Sequence, residues 1–212
     1  MNVQQQVGPD FRARASFAGG TSFLAGITGL AVATLAVIGL AKVNPASLVE
    51  VAAIVLGAAL MFEAGVDAAR YSAVRKSMDV HLGYAWFAMV TNIVAAIGGI
   101  TLGIIALAGV RPDILMPVAA IAFGSALAVD SCIIARLSRR EPVQTTRFWI
   151  AAGIVQFMIG IGSITLGIVS LAYGYSLILS LVAMLANGTA LLFSGSIVGR
   201  RMRKITHMAE SY

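Results

Sequence analysis

The sequence predicts an all-α integral membrane protein: six transmembrane helices built as three parallel-repeat helical hairpins in pseudo-threefold arrangement, with N- and C-termini cytoplasmic. Three observations predict it. Hydrophobic residues make up 59% of the 212-residue chain and charged ones 11%, at a mean hydropathy of +0.91, which no ordinary soluble domain shows. Six apolar segments are each long enough to cross a hydrocarbon core of ~30 Å as a helix. One pattern of residues recurs three times with identical internal spacing.

The first span is expected over 22–41, after a polar cytoplasmic arm over 1–21. The apolar run and its polar leader are both too long for a cleaved signal peptide, so this helix is expected to stay. The second span, 48–69, is interrupted by Glu63. The third covers 84–110. The fourth, 114–135, is interrupted by Asp130. The fifth covers 148–173 and the sixth 175–198, followed by a basic cytoplasmic tail over 200–212. The membrane domain is thus 22–199, with hairpins at about 22–70, 84–136 and 148–199. Little chain lies outside it, too little for a soluble catalytic domain.

Lysine and arginine set the orientation. With six spans, the N-terminus, the second and fourth loops and the C-terminus share one side, and that side carries 13 of the 15 basic residues. Only Lys42 and Arg111 lie on the other. This bias places both termini in the cytoplasm. The net charge of +6 is therefore a topology signal rather than a nucleic-acid footprint. The tail "GRRMRKITH" is expected to meet anionic lipid headgroups. The single cysteine, Cys132, excludes an intrachain disulfide.

The repeat is read from three threonines. Thr34 opens "TLAVIGLA", Thr101 "TLGIIALA" and Thr165 "TLGIVSLA". Fourteen residues after each stands a leucine: Leu48, Leu115, Leu179. Twenty-three after comes a glycine opening "GAAL" at Gly57, "GSAL" at Gly124 and "GTAL" at Gly188. Each unit reads as a helix, a tight outer loop and a returning helix, with Pro45 and Pro112 marking two of the loops. Lipid supplies no hydrophobic drive between helices, so close contacts need small residues four apart. Ala64/Ala68, Ser131/Ala135 and Gly195/Gly199 supply them on the returning helices, and Gly99/Gly103 and Ser163/Gly167 on the outgoing ones. These are expected to be packing seams.

Six residues after the repeat glycine stand Glu63, Asp130 and Ser194, a position polar in every copy and acidic in two. A carboxylate in hydrocarbon is costly unless paired, protonated or wet, so this ring should face the bundle. Its depth is the cytoplasmic half, about 10 Å from the basic helix ends. Two readings stay open. The ring lines a polar vestibule that carries protons or binds a cation, or it pairs with arginines and neighbouring polar groups to fix hairpin register. Asn92 and Gln156, nine residues before their threonines, and Asn187, within the seven-residue stripe Ser180, Asn187, Ser194, are expected to act as interhelical polar contacts. Trp86 and Trp149 read as interfacial anchors. No phosphate-cradling loop, zinc-protease helix or cysteine pair occurs, and His81 and His207 lie far apart. The chain is therefore expected to be no enzyme and to hold no cofactor or metal.

Three hairpins of about 65 residues, each with G-x-x-L on the returning helix, resemble the HdeD family of small six-helix bacterial inner-membrane proteins associated with acid resistance. "GTALLFSGSIVG" in the third copy and "LGIIALAGVRPDIL" in the second carry the likeness, which runs from about Phe23 to Arg200. It departs at Ala64 and Ser131, where the pattern has glycine. The resemblance implies a bacterial cytoplasmic-membrane location and a stress-related role, and transfers no binding residue. Two functions are open: a structural or accessory membrane subunit that packs against itself or a larger membrane complex, and a channel or proton-responsive permease along the pseudo-threefold axis.

Overall fold

The computed structural model describes residues 9–75, 82–138, 143–174 and 176–210, with side-chain surroundings for 23–65, 68, 86–132, 151–174 and 177–194. These residues form six helices and no strand: α1 (Pro9–Leu40), α2 (Pro45–Arg75), α3 (Leu82–Leu107), α4 (Pro112–Ser138), α5 (Val143–Tyr173) and α6 (Ser176–Glu210). Each contains a stretch apolar and long enough to cross a membrane, from Phe23–Leu40 in α1 to Leu177–Ser194 in α6. The chain is thus a multi-pass membrane protein by the length and composition of its helices.

Helix and apolar span do not coincide. α1 begins at Pro9, inside the segment expected to be a polar arm, and α6 runs on to Glu210 through the basic tail. Hydropathy marks where lipid ends, whereas backbone hydrogen bonding continues wherever residues such as Ala, Arg, Lys and Met favour a helix.

The proline markers have a specific place. Pro45 and Pro112 are the first residues of α2 and α4, where a missing N–H costs nothing and the fixed φ suits a helix start. The turns before them share one conformation. Lys42 N–H reaches Gly39 O at 3.0 Å and Val43 N–H reaches Ile38 O at 3.4 Å, closing α1 with a Schellman cap. Gly109 and Val110 repeat those bonds to Ala106 O and Ile105 O at 2.8 and 3.3 Å. Lys42 and Asn44 have φ of 65° and 44°, and Gly109 and Arg111, at the same offsets, have 85° and 41°. Only one of these four left-handed positions is glycine. The third connection is shorter and turns at Gly174, φ 72°.

The helices form a ring with an inside. Among the described residues α1 touches only α2 and α6, α3 only α2 and α4, and α5 only α4 and α6, while α2, α4 and α6 also meet one another at the centre. The central three have the more deeply buried spans. Their core is apolar: Val49 and Leu56 on α2, Met116 and Phe123 on α4, and Leu181 and Met184 on α6 are almost fully inaccessible. The outer helices turn Leu30, Ile97 and Ile161 outward. Thr34 and Thr165 lie on that same outer surface, where each hydroxyl bonds the carbonyl four residues back (Leu30 O and Ile161 O, both 2.9 Å). The threonines that mark the sequence pattern are therefore not in the interior.

Three contacts bring backbones together. A Cβ added to Gly188 would lie 2.8 Å from Gly29 O, and one added to Gly29 would lie 2.7 Å from Gly188 O. Gly124 and Gly160 face each other in the same way, at 2.6 and 2.7 Å. Gly57 opposes Ala96, whose carbonyl is 2.8 Å from the built Cβ. Gly29, Ala96 and Gly160 each stand five residues before their threonine. Gly103 makes a further close approach, to Glu50 O at 3.0 Å and the Ile54 side chain, and Gly167 makes its counterpart to Pro117 O at 2.9 Å. Gly99 instead receives the Phe123 ring. Of the seams expected at four-residue spacing, Gly103 and Gly167 thus meet backbone; Gly195 and Gly199 lie outside the residues whose surroundings are described.

Candidate functional site

The polar residues of the interior follow a seven-residue step. On α6 they are Ser180, Asn187 and Ser194; on α5 they are Gln156, Ser163 and Ser170. A step of seven is close to two helical turns, so each set lies along one face. Five of the six are buried, and Ser194 is partly so. The two faces meet at mid-depth, where Asn187 Nδ2 donates to Ser163 Oγ at 3.0 Å and Ser163 donates onward to Ala120 O on α4 at 3.0 Å. Because α5 and α6 run antiparallel, that contact sets Ser170 level with Ser180 and Gln156 level with Ser194.

The same step describes the other helices. Phe123 on Gly99 is the counterpart of Asn187 on Ser163, and seven residues toward the ends away from the short turns stand Asp130 and Asn92. On α2 the step from Leu56 reaches Glu63. The lowest layer therefore gathers Glu63, Asp130 and Ser194 from the central helices with Asn92 and Gln156 from the outer ones. Asn92 is 1% exposed, Gln156 6% and Asp130 9%, and all of them face inward.

One pair in this layer is joined directly. Ser194 Oγ lies 2.7 Å from Glu63 Oε1 and donates to it, with Leu191 O a second acceptor at 3.1 Å. A hydroxyl donating to a carboxylate makes a short, strong bond that stabilises the charged acceptor. Asp130 lies near the same depth, since the Gly124–Gly160 contact puts it within about half a turn of Gln156. The arginines beyond this layer, Arg70 on α2 and Arg136 on α4 among them, have side chains outside the described residues.

The residues singled out in the sequence thus converge, with Asn187 one layer above the rest. Ser163 was missed as the partner of Asn187, and Ser170 as a further buried polar residue of the same face, although the step from Gln156 would have found both. Glu50, 5% exposed near the opposite end of α2, is a further buried carboxylate that hydropathy hides among apolar neighbours.

Chemically the layer offers acids, amides and one hydroxyl, and that hydroxyl is bonded to the Glu63 carboxylate. Among the described residues no group of three or more His, Cys, Asp or Glu is placed to hold a metal ion. Comparison with family models, curated proteins and solved structures finds no match to this chain.

Proposed function

We propose that this chain is a non-enzymatic protein of the bacterial cytoplasmic membrane whose role is structural: an accessory subunit or stress-related membrane protein that packs against copies of itself or a larger membrane complex. Its plan is three parallel hairpins about a pseudo-threefold axis, with both termini cytoplasmic. Equivalent glycine contacts at equal offsets support the repeat, and the distribution of basic residues supports the orientation. The HdeD-like character, and with it the bacterial and acid-stress associations, rests on the sequence motifs.

The observation that carries the structural reading is the filling of the centre. Val49, Met116, Leu56, Phe123 and Leu181 occupy it with less than 2% exposure, and Ser180 and Asn187 are equally buried on the α6 side. Conduction along the axis would require this close-packed plug to part. Below the plug, Glu63 accepts a hydrogen bond from Ser194. A hydroxyl–carboxylate bond between the first and last hairpins is what a register pin looks like.

The test is native purification in mild detergent, followed by the mass of the intact assembly and the identity of its components. Co-purification of a larger membrane complex in fixed stoichiometry supports the accessory role. A lone protein whose liposomes pass ions or small solutes, and lose that flux when Glu63 and Asp130 are neutralised together without unfolding, overturns it in favour of a channel or permease.

A further inference from the structure

The third hairpin differs from the other two in what it buries. At equivalent positions of the central helices stand Val49, Met116 and Ser180, and one layer below them Leu56, Phe123 and Asn187. Architecture does not demand a polar group at either place, because two hairpins do without one. Yet Ser180 and Asn187 are both fully buried. Ser180 Oγ and Asn187 Oδ1 have no hydrogen-bond partner among the described residues, and neither does Gln156 Nε2 on the facing helix. The Asn187 amide orientation is settled by its neighbour: Ser163 spends its hydrogen on Ala120 O, so Asn187 must donate its Nδ2 and leave Oδ1 over.

Three orphan groups on one seam, each about 10 Å from the next along it, need partners that both donate and accept. Asn187 Oδ1 needs a donor, Gln156 Nε2 needs an acceptor, and Ser180 Oγ takes either. The partner must also be small and uncharged. Serine and asparagine occupy less volume than the methionine and phenylalanine of the second hairpin, and buried polar groups of this kind in proteins are satisfied by internal water. We propose that the α5–α6 seam is an internal water site, in which waters bound to Ser180 Oγ and Asn187 Oδ1, and again at Gln156 Nε2, hydrate the third hairpin while the positions of the first two hairpins equivalent to Ser180 and Asn187 remain dry.

Two methionines provide a matched probe. Met184 lies between Ser180 and Asn187 on the same face of α6, and Met116 sits at the Ser180 position of α4; both are 0% exposed. X-ray radiolytic footprinting of the full-length protein in nanodiscs generates hydroxyl radicals from bound as well as bulk water. Met184 is expected to oxidise at least five-fold faster than Met116. In Ser180→Ala/Asn187→Leu the two rates are expected to converge. Equal rates in the unaltered protein overturn the proposal, and that comparison needs no variant to fold. A Met184 rate that stays high in a folded double variant also overturns it, because the water would then be held by other groups.

Discussion

Ser194 on α6 donates its hydroxyl to Glu63 Oε1 on α2 at 2.7 Å, tying the last membrane span to the second across 131 positions of chain. Both residues lie in the lower part of an apolar bundle, where water competes weakly for the carboxylate. Ser194→Ala removes the donor and leaves the acid. Hydrogen bonds between membrane helices contribute about 0.6–1.7 kcal/mol. Thermal unfolding in detergent is therefore expected to shift down by a few degrees for Ser194→Ala and to be largely restored by Ser194→Thr, which keeps the hydroxyl.

The carboxylates themselves distinguish shape from chemistry. Glu63→Gln keeps an oxygen that accepts from Ser194, and Asp130→Asn keeps a polar group of the same size. Both are expected to accumulate in membranes near the unaltered level. Glu63→Leu and Asp130→Leu remove the acceptor from a layer that also contains Asn92 and Gln156, and are expected to accumulate less. Quantitative blotting of membrane fractions checks this, and equal losses for amide and leucine variants would rule out a hydrogen-bonding role.

Backbone contact between α1 and α6 leaves no room for a side chain at Gly188, where even a Cβ meets Gly29 O at 2.8 Å. Gly188→Leu is expected to cost about 3 kcal/mol or more, at the upper end of overpacking. Gly162→Leu, where an added Cβ meets nothing within 4 Å, is expected to be neutral. Fluorescence-detected size exclusion of the two variants side by side reads the difference.

The α5–α6 contact is open to a double-mutant cycle. Ser163→Ala is expected to destabilise the unaltered protein by about 1 kcal/mol, through loss of the Asn187 and Ala120 bonds. In an Asn187→Leu background, which places at that position the residue type found at Leu56, the same change is expected to cost roughly half as much or less. Additive effects from the two melts would show that the side chains act independently.

At the outer turns, Gly109 holds φ at 85°, a region that costs other residues about 1–2 kcal/mol. Gly109→Ala is expected to lower stability by about 1 kcal/mol, whereas Lys42→Gly, at the matching position of the first turn, is expected to raise it by several tenths. Chemical denaturation monitored by tryptophan fluorescence compares both with the parent.

How far the molecule could be read from its sequence depends on which interaction sets each feature. Membrane spans follow from local hydropathy, so 48–69 and 114–135 overlap the membrane-length stretches Pro45–Gly65 of α2 and Pro112–Cys132 of α4. Helix ends follow from backbone hydrogen bonding, which is why α1 and α6 run past their apolar segments to Pro9 and Glu210. Gly57, Gly124 and Gly188 stood out through equal spacing, but their partners did not. A close approach is a property of two helices, and nothing local to Gly29 or Gly160 tells which glycine will face it. Four-residue spacing was the weaker guide: Gly99, part of such a pair, accommodates the Phe123 ring instead of a neighbouring backbone. In the polar layer, Glu63, Asp130 and Ser194 were legible because charge in an apolar run has few explanations. Ser163 and Ser170 were not, since serine is unremarkable in such a run until the Asn187 amide is seen to point at it.

The pairing of Gly29 with Gly188 also bears on the order of assembly. α1 leaves the ribosome well before α6, yet α1 packs more extensively against α6 than against any other of the six helices. Until α6 has been made, the inward face of α1 has only α2 to lean on. The ring is therefore closed by α6, as a clasp closes a bracelet. A chain released early would display an unclasped edge at α1 to whatever membrane helix lay beside it, including the α6 of another copy.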